Sequence, residues 1–365
     1  MVIYRGMMIV ALLASASYAE ECVVERNSTV ESEQGEFNYI DETHANLSST
    51  VLEWSETIDI TIGEWLGHKD VNCTNCTHES PDIRDNPDTP LEDQVRSADA
   101  FFQNRKYLNE TNDVFIRVRT GGTFQSRESE DFEFKLRAQI PFSRSKKHLK
   151  IFINDVTIDN ADNILKEDEK DTPNIGINYF AAEKHGINSR YALGFSGIDP
   201  FVSARYNMPF RTDNWLIDPV QLFKYSLDDK FEEETDIYFD RQFKEMSLFR
   251  LQLHRKTQED LDGMDYALSL QYYWSPKDKT GLGVSQSFFG NTKYPYIVDE
   301  NSATPEVKTY GGIHNYLTSF TWRQNIWRKW FYYEVRPSVN FHKQHDYEPN
   351  YAVRIFFDFY FGRYN

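Results

Sequence analysis

Residues 68–80, HKDVNCTNCTHES, hold the side chains of this 365-residue chain that come nearest to a recognisable chemistry. Cys73 and Cys76 form a C-x-x-C between His68 and His78, and that spacing suits a zinc site or a redox pair. Both chemistries ask for more than is there. No second C-x-x-C exists, and Thr77 stands directly after Cys76, where haem attachment needs His. In an oxidising compartment the same residues make a disulfide, Cys73 with Cys76 or either with Cys22, leaving one thiol over. The reading is a disulfide, with no metal and no cofactor assigned.

A second set of reactive groups is spread through the C-terminal two thirds. Arg117, Arg119, Glu133, Lys135, Arg137, Arg190, Arg205, Asp240, Arg250, Glu334, Arg336, Arg354 and Asp358 all sit inside segments that otherwise alternate apolar with polar. In DFEFKLRAQI, Phe132, Phe134, Leu136, Ala138 and Ile140 share one face while Glu133, Lys135, Arg137 and Gln139 share the other. Two chemistries follow. The charges line a pore, whose basic majority favours anionic solutes, or they pair across strands and fill a sealed interior.

The elements that must hold these residues are strands of period two. Fourteen such segments run from about 113–125 to 351–362, most reaching the ~9–11 residues a tilted strand needs to cross a bilayer. The seventh and eleventh alternate poorly, so twelve or sixteen strands stay open. Connections sort by parity: one set is short and mostly basic, the other longer and acidic, as the two ends of a cylinder require. Trp215, Trp274, Trp322, Trp327 and Trp330 fall near the short-turn end, where an aromatic girdle would lie. The fold expected is all-β, a single closed antiparallel transmembrane barrel over 113–365.

Residues 1–19 have a basic start at Arg5, an apolar run and Ser17 and Ala19 placed for cleavage, which reads as a signal peptide. Residues 20–112 form an acidic, turn-rich N-terminal region, partly helical or irregular. There Val51, Leu52, Trp54, Ile58, Ile62 and Trp65 recur at helical spacing after Ser48 or Ser49. Apolar residues make up 40% of the chain, too many for a disordered acidic protein, and the net charge of −17 repels nucleic acid.

The leader, the alternating ladder and an aromatic last strand together resemble a Gram-negative outer-membrane β-barrel protein. Tyr351, Val353, Ile355, Phe357, Phe359 and Phe361 match the C-terminal row by which the barrel-assembly machinery recognises such chains, although the tail GRYN continues past Phe361. RQNIWRKWFYYEVRPSVNF with the final strand is also similar to the C-terminal hairpin of an uncharacterised proteobacterial outer-membrane family. The resemblance implies a monomer in the outer membrane, in contact with its lipid and lipopolysaccharide. It brings no activity.

Three functions fit. A pore or passive channel for small, anionic solutes comes first, and a closed barrel serving envelope integrity second. The third is a lipid-modifying enzyme, which needs a hydroxyl with a base in reach. HES at 78–80 looks like a fragment of the outer-membrane phospholipase motif, but Pro81 follows and no strand surrounds it. His254 and His314 read as packed or solvated, so catalysis is the less favoured reading.

Overall fold

The computed structural model describes residues 39–65, 91–102, 114–127, 129–142, 149–154, 174–212, 214–244, 247–259, 261–277, 279–297 and 306–362. The expected signal peptide, the three cysteines, His68 and His78 lie outside the described residues. The chain divides into two units, Met1–Glu42 and Thr43–Asn365. Of the first, the described part is the opening turn of a helix. All that follows concerns the second.

The strands are β1 (Phe115–Gln125), β2 (Asp131–Pro141), β3 (Leu149–Asn154), β4 (Asn174–Phe180), β5 (Asn188–Ser196), β6 (Asp199–Asn207), β7 (Phe210–Thr212) and β8 (Trp215–Ser226). They continue as β9 (Lys230–Lys244), β10 (Ser247–Gln258), β11 (Asp265–Lys277), β12 (Thr280–Ile297), β13 (Val307–Asn325), β14 (Phe331–His342) and β15 (Pro349–Gly362). Antiparallel pairing passes from neighbour to neighbour, and β1 pairs with β15 from Phe115↔Gly362 to Gln125↔Ala352, which closes the ring. β7 continues β6. Both pair with β8 in one register, Asn207↔Val220 and Phe210↔Ile217, and the break falls at Pro209, which has no N–H to give a ladder. The wall therefore has fourteen strands, as the alternation predicts.

Period two becomes two faces. On β2, Phe132 and Phe134 are 73% and 69% exposed, whereas Lys135 and Arg137 are 5% and 3%. In a closed ring only one of these faces looks inward, so the buried polar row is the inner wall and the exposed apolar row the outer. The final strand obeys the same rule: Tyr351, Val353 and Phe357 are exposed, while Ala352, Phe356, Asp358 and Tyr360 are buried.

Two polar stretches beside the longer connections belong to the ladder. Only Leu227–Asp229 turn between β8 and β9, with Lys230 in a left-handed conformation at φ 59°, so Glu232 and Glu234 become buried inner-wall residues rather than solvated loop charges. Likewise Tyr294–Ile297 pairs with Val307–Tyr310, extending the β12–β13 hairpin beyond its neighbours. In the first stretch alternation is weak, because Glu232 and Glu234 on one face and Glu233 and Thr235 on the other are all polar.

Two helices precede the barrel, α1 (Tyr39–Trp65) and α2 (Leu91–Phe102). α1 starts about nine residues before the expected Ser48. Its threonines suit a helix because their hydroxyls bond back one turn: Thr50 to the Asn46 carbonyl, Thr57 to Glu53 and Thr61 to Thr57, each at 2.8 Å. Val51, Ser55 and Asp59, four apart, are its buried face, while Trp54 is 57% exposed, against the expectation from spacing. Among the described residues no helix is long and apolar enough to cross a membrane.

Candidate functional site: the inner wall and the helix seated on it

The predicted inner-wall residues divide into two groups by what they touch. Arg119, Glu334, Arg336 and Asp358 form one network with Arg323, contributed by β1, β13, β14 and β15 at their short-turn halves. Arg119 donates from Nε and Nη2 to both carboxylate oxygens of Asp358 at 2.6 and 2.8 Å, and Arg323 Nη1 donates to Asp358 Oδ2 at 2.5 Å. Glu334 accepts from Arg323 at 3.2 Å and from Arg336 at 2.6 Å. Tyr360 Oη takes a further Arg323 N–H at 3.2 Å, and the Tyr332 ring lies 4.9 Å from the guanidinium. Arg119, Arg323, Glu334 and Asp358 are each 1% exposed, so the group is cut off from water. Arg323 did not stand out in sequence because it sits in a mixed Thr-Trp-Arg-Gln stretch; its place on the inner row of β13 was the available signal.

These ion pairs run sideways along the wall, between strands one or two places apart, and not across the bore. The network lines one sector of wall and leaves the width of the barrel unbridged. Asp358 and Arg354, four apart on β15, find separate surroundings, as their ~13 Å spacing on a strand demands.

Arg250 and Asp240, from β10 and β9, hold something else. Arg250 Nε and Nη2 donate to Asp240 at 2.6 and 3.1 Å, and its Nη1 and Nη2 donate to Asp99 of α2 at 2.7 and 2.9 Å. All three groups are buried. Around this triad Val95 packs on Leu216 and Leu248, Phe102 lies tilted against Tyr273 at 4.6 Å, and Phe101 meets Tyr332 edge-on at 6.1 Å. Gly281 on β12 lies beneath both phenylalanines, and a methyl there would overlap the Phe101 ring. Each wall residue named lies on the inner row at the short-turn end of its strand. α2 is thus seated inside that mouth, against β8 to β12 and β14. Spacing within residues 91–102 did not mark this helix in advance, and Asp99 had no partner in sequence.

α1 sits at the rim of the same end. His44 stacks on Trp330 at 4.3 Å, bonds through Nε2 to the Tyr360 carbonyl at 2.7 Å, and lies over Phe361 at 5.2 Å. Gly362 ends the last strand at φ 97°, a conformation glycine adopts without strain, with the Val114 carbonyl and Val51 close beside it.

The remaining predicted residues are sorted by sector. Arg117, Lys135, Arg137 and Arg205 are buried and Glu133, Arg190 and Arg354 partly so; Lys135 pairs with Glu133. With Lys150 they make the inner face of β1–β6 and β15 basic. Asp218, Glu232, Glu234, Asp236 and Asp240 make β8 and β9 acidic, with Lys256 on Glu232 at 3.1 Å and His254 Nδ1 on Asp236 at 2.9 Å. β8 and β9 stand half-way round the ring from β15 and β1, so the acidic strands face that end of the basic sector and adjoin its other end at β6. On the side of β11–β13, serine hydroxyls pair across the inner wall: Ser269 bonds Ser287 at 2.8 Å and Ser285 bonds Ser319 at 2.7 Å. Among the described residues no group of three His, Cys, Asp or Glu could hold a metal ion.

No protein-family model matches the chain, and no curated protein sequence does. Several solved structures are similar, all outer-membrane proteins or porins. OmpT of Vibrio cholerae gives a TM-score of 0.40 at 10% identity over 68% of this chain and 97% of that one. The anion-selective porin from Comamonas acidovorans gives 0.40 at 7% over 68% and 98%, and the KdgM porin 0.32 at 6% over 67% and 98%. These are likenesses of strands wound into a barrel. What establishes the barrel here is its own closed ladder.

Proposed function

We propose that this chain is a bacterial outer-membrane channel for small polar solutes, held closed at its short-turn mouth by α2. The observation that carries the reading is the Asp99–Arg250 contact, because it joins a separate helix to an inner wall whose other described ion pairs run along the wall. A barrel sealed for good could meet these charges by packing across the bore; here the element in the bore is a helix that can leave. An anion passing through would follow the basic sector of Arg117, Arg137, Arg205 and Arg354, as anion passages lined by cationic side chains do.

The outward apolar band of the closed barrel, together with the expected export signal and the expected assembly row on β15, supports placing it in the outer membrane, with the short turns facing the periplasm. The test is conductance in planar bilayers. Asp99→Asn removes one carboxylate from a triad that keeps Asp240 on Arg250, a loss of about 2 kcal/mol of seating energy. That corresponds to a roughly thirtyfold rise in open population. Full-length protein is expected to open rarely and Asp99→Asn often, with anions carrying more of the current. If removal of residues 39–102 leaves a folded but silent barrel, the channel reading fails and a closed structural barrel replaces it.

A further inference from the structure

The outer wall is largely apolar, with polar side chains at a few places: Gln221, Glu233, Thr235 and Arg255 group on β8–β10, and one recess lies on β12 and β13. On β14 the outward row is Phe331, Tyr333, Val335, Pro337, Val339 and Phe341. Ten residues span ~33 Å along the strand, which a tilt of ~40° projects to ~25 Å, the height of a barrel's lipid-facing band. At the long-loop edge of that band lies a half-open cavity of about 490 Å³ lined by Gln286, Tyr310, Tyr316, Thr318, Phe341 and Tyr347. Its size falls within that of small-molecule sites, ~300–1,000 Å³.

The lining mixes flat rings with polar atoms in a row that should be greasy. Thr318 Oγ1 donates to Gln286 Oε1 at 2.6 Å, and Gln286 Nε2 has only a long contact, 3.4 Å, to the Ser287 carbonyl. An amide facing hydrocarbon with a half-met donor is costly, so its place at the band edge calls for a polar partner from the lipid side. Tyr347 is fixed as a wall by its hydroxyl, which donates to the Ile313 carbonyl at 2.8 Å, and by its edge contact with Tyr316 at 5.9 Å. The nearby cation does not favour phosphate. Lys343 Nζ is already engaged by Asp346 at 3.2 Å and by the rings of Tyr296, Tyr310 and Tyr347 at 4.9 to 6.0 Å.

We infer that this recess binds the headgroup of a sugar-bearing lipid, its pyranose ring lying on the tyrosine faces and its hydroxyls meeting the Gln286 amide and Thr318. The inference rests on the outer-membrane reading above, since it needs the wall to face lipid. It does not depend on whether the lumen conducts.

The test uses the full-length protein in phosphatidylcholine nanodiscs doped with a dihexosyl diacylglycerol or with phosphatidylglycerol. Retained lipid is counted by native mass spectrometry, and flotation with heat-modifiable gel migration reports insertion. Wild type is expected to retain the dihexosyl lipid about tenfold over phosphatidylcholine, which is one or two polar contacts' worth of selectivity. Gln286→Leu combined with Thr318→Val should erase that preference while migration stays native. Equal retention of both lipids, or a preference untouched by the double variant, overturns the site. Phosphatidylglycerol held as tightly as the dihexosyl lipid and released by Lys343→Ala overturns the sugar assignment. A protein that does not insert refutes the membrane reading itself, a result the flotation control separates from loss of binding.

Discussion

Replacing Asp358 by Asn is the sharpest test of the inner-wall network. The carboxylate accepts three charge-assisted hydrogen bonds, two from Arg119 and one from Arg323, at a site that is 1% exposed. Asparagine keeps one acceptor oxygen and turns an N–H₂ toward a guanidinium, so at least one of the three bonds becomes a donor facing a donor. The five charged groups of the network sum to +1 and would rise to +2 without water to screen them. Breaking a buried pair by removing one partner costs ~3–5 kcal/mol, and this change sits at the lower half of that range because Glu334 still answers Arg323 and Arg119, at 3.2 and 3.7 Å. The assay is urea unfolding in detergent micelles, followed by tryptophan fluorescence and heat-modifiable migration. A loss of about 3 kcal/mol is expected. The double variant Arg119→Met with Asp358→Leu should recover much of it, because no charge of that pair is then left alone. If Asp358→Asn lies within about 1 kcal/mol of wild type, the site is wetter than its burial implies and the reasoning fails.

Other consequences follow from the same geometry. Gly281→Val places two methyls where the Phe101 ring lies, so α2 should be displaced and a cysteine introduced at Val95 should become reactive to a water-soluble maleimide while the barrel still folds. Arg250→Met strands Asp99 and Asp240 together out of water and should unseat α2 more than Asp99→Asn does; equal maleimide reactivity in the two would contradict the triad. Phe357→Arg turns a charge toward lipid and should cost roughly 2–4 kcal/mol near the midplane, visible as slowed insertion into vesicles, whereas Phe357→Leu should insert normally. His44→Ala removes a ring from Trp330 and a bond from the Tyr360 carbonyl, so protease cleavage within α1 should speed up with no change in barrel migration.

Much of this molecule was legible before any coordinates, and the reason is geometric. A strand's side chains alternate strictly, so Phe132 and Lys135, or Phe357 and Asp358, had to look opposite ways, and a closed ring leaves one inside and one outside. A count of about fourteen strands, with twelve or sixteen left open, and the shared face of Arg119, Arg250, Glu334 and Asp358 within their strands followed from that; the closed ladder decided the number. Partners did not, because pairing depends on register between segments far apart in the chain. Arg119 meets Asp358 across 239 positions of sequence and Arg250 meets Asp99 across 151. Glu232 and Glu234 join the inner wall only once the ladder is drawn, because in sequence a three-residue turn and a loop of charges look alike. Only the tertiary structure decided that α2 lies in the mouth, since a helix's seat is chosen by the cavity that fits it: Gly281 leaves the space, Leu216 and Leu248 the apolar floor, and Arg250 the charge.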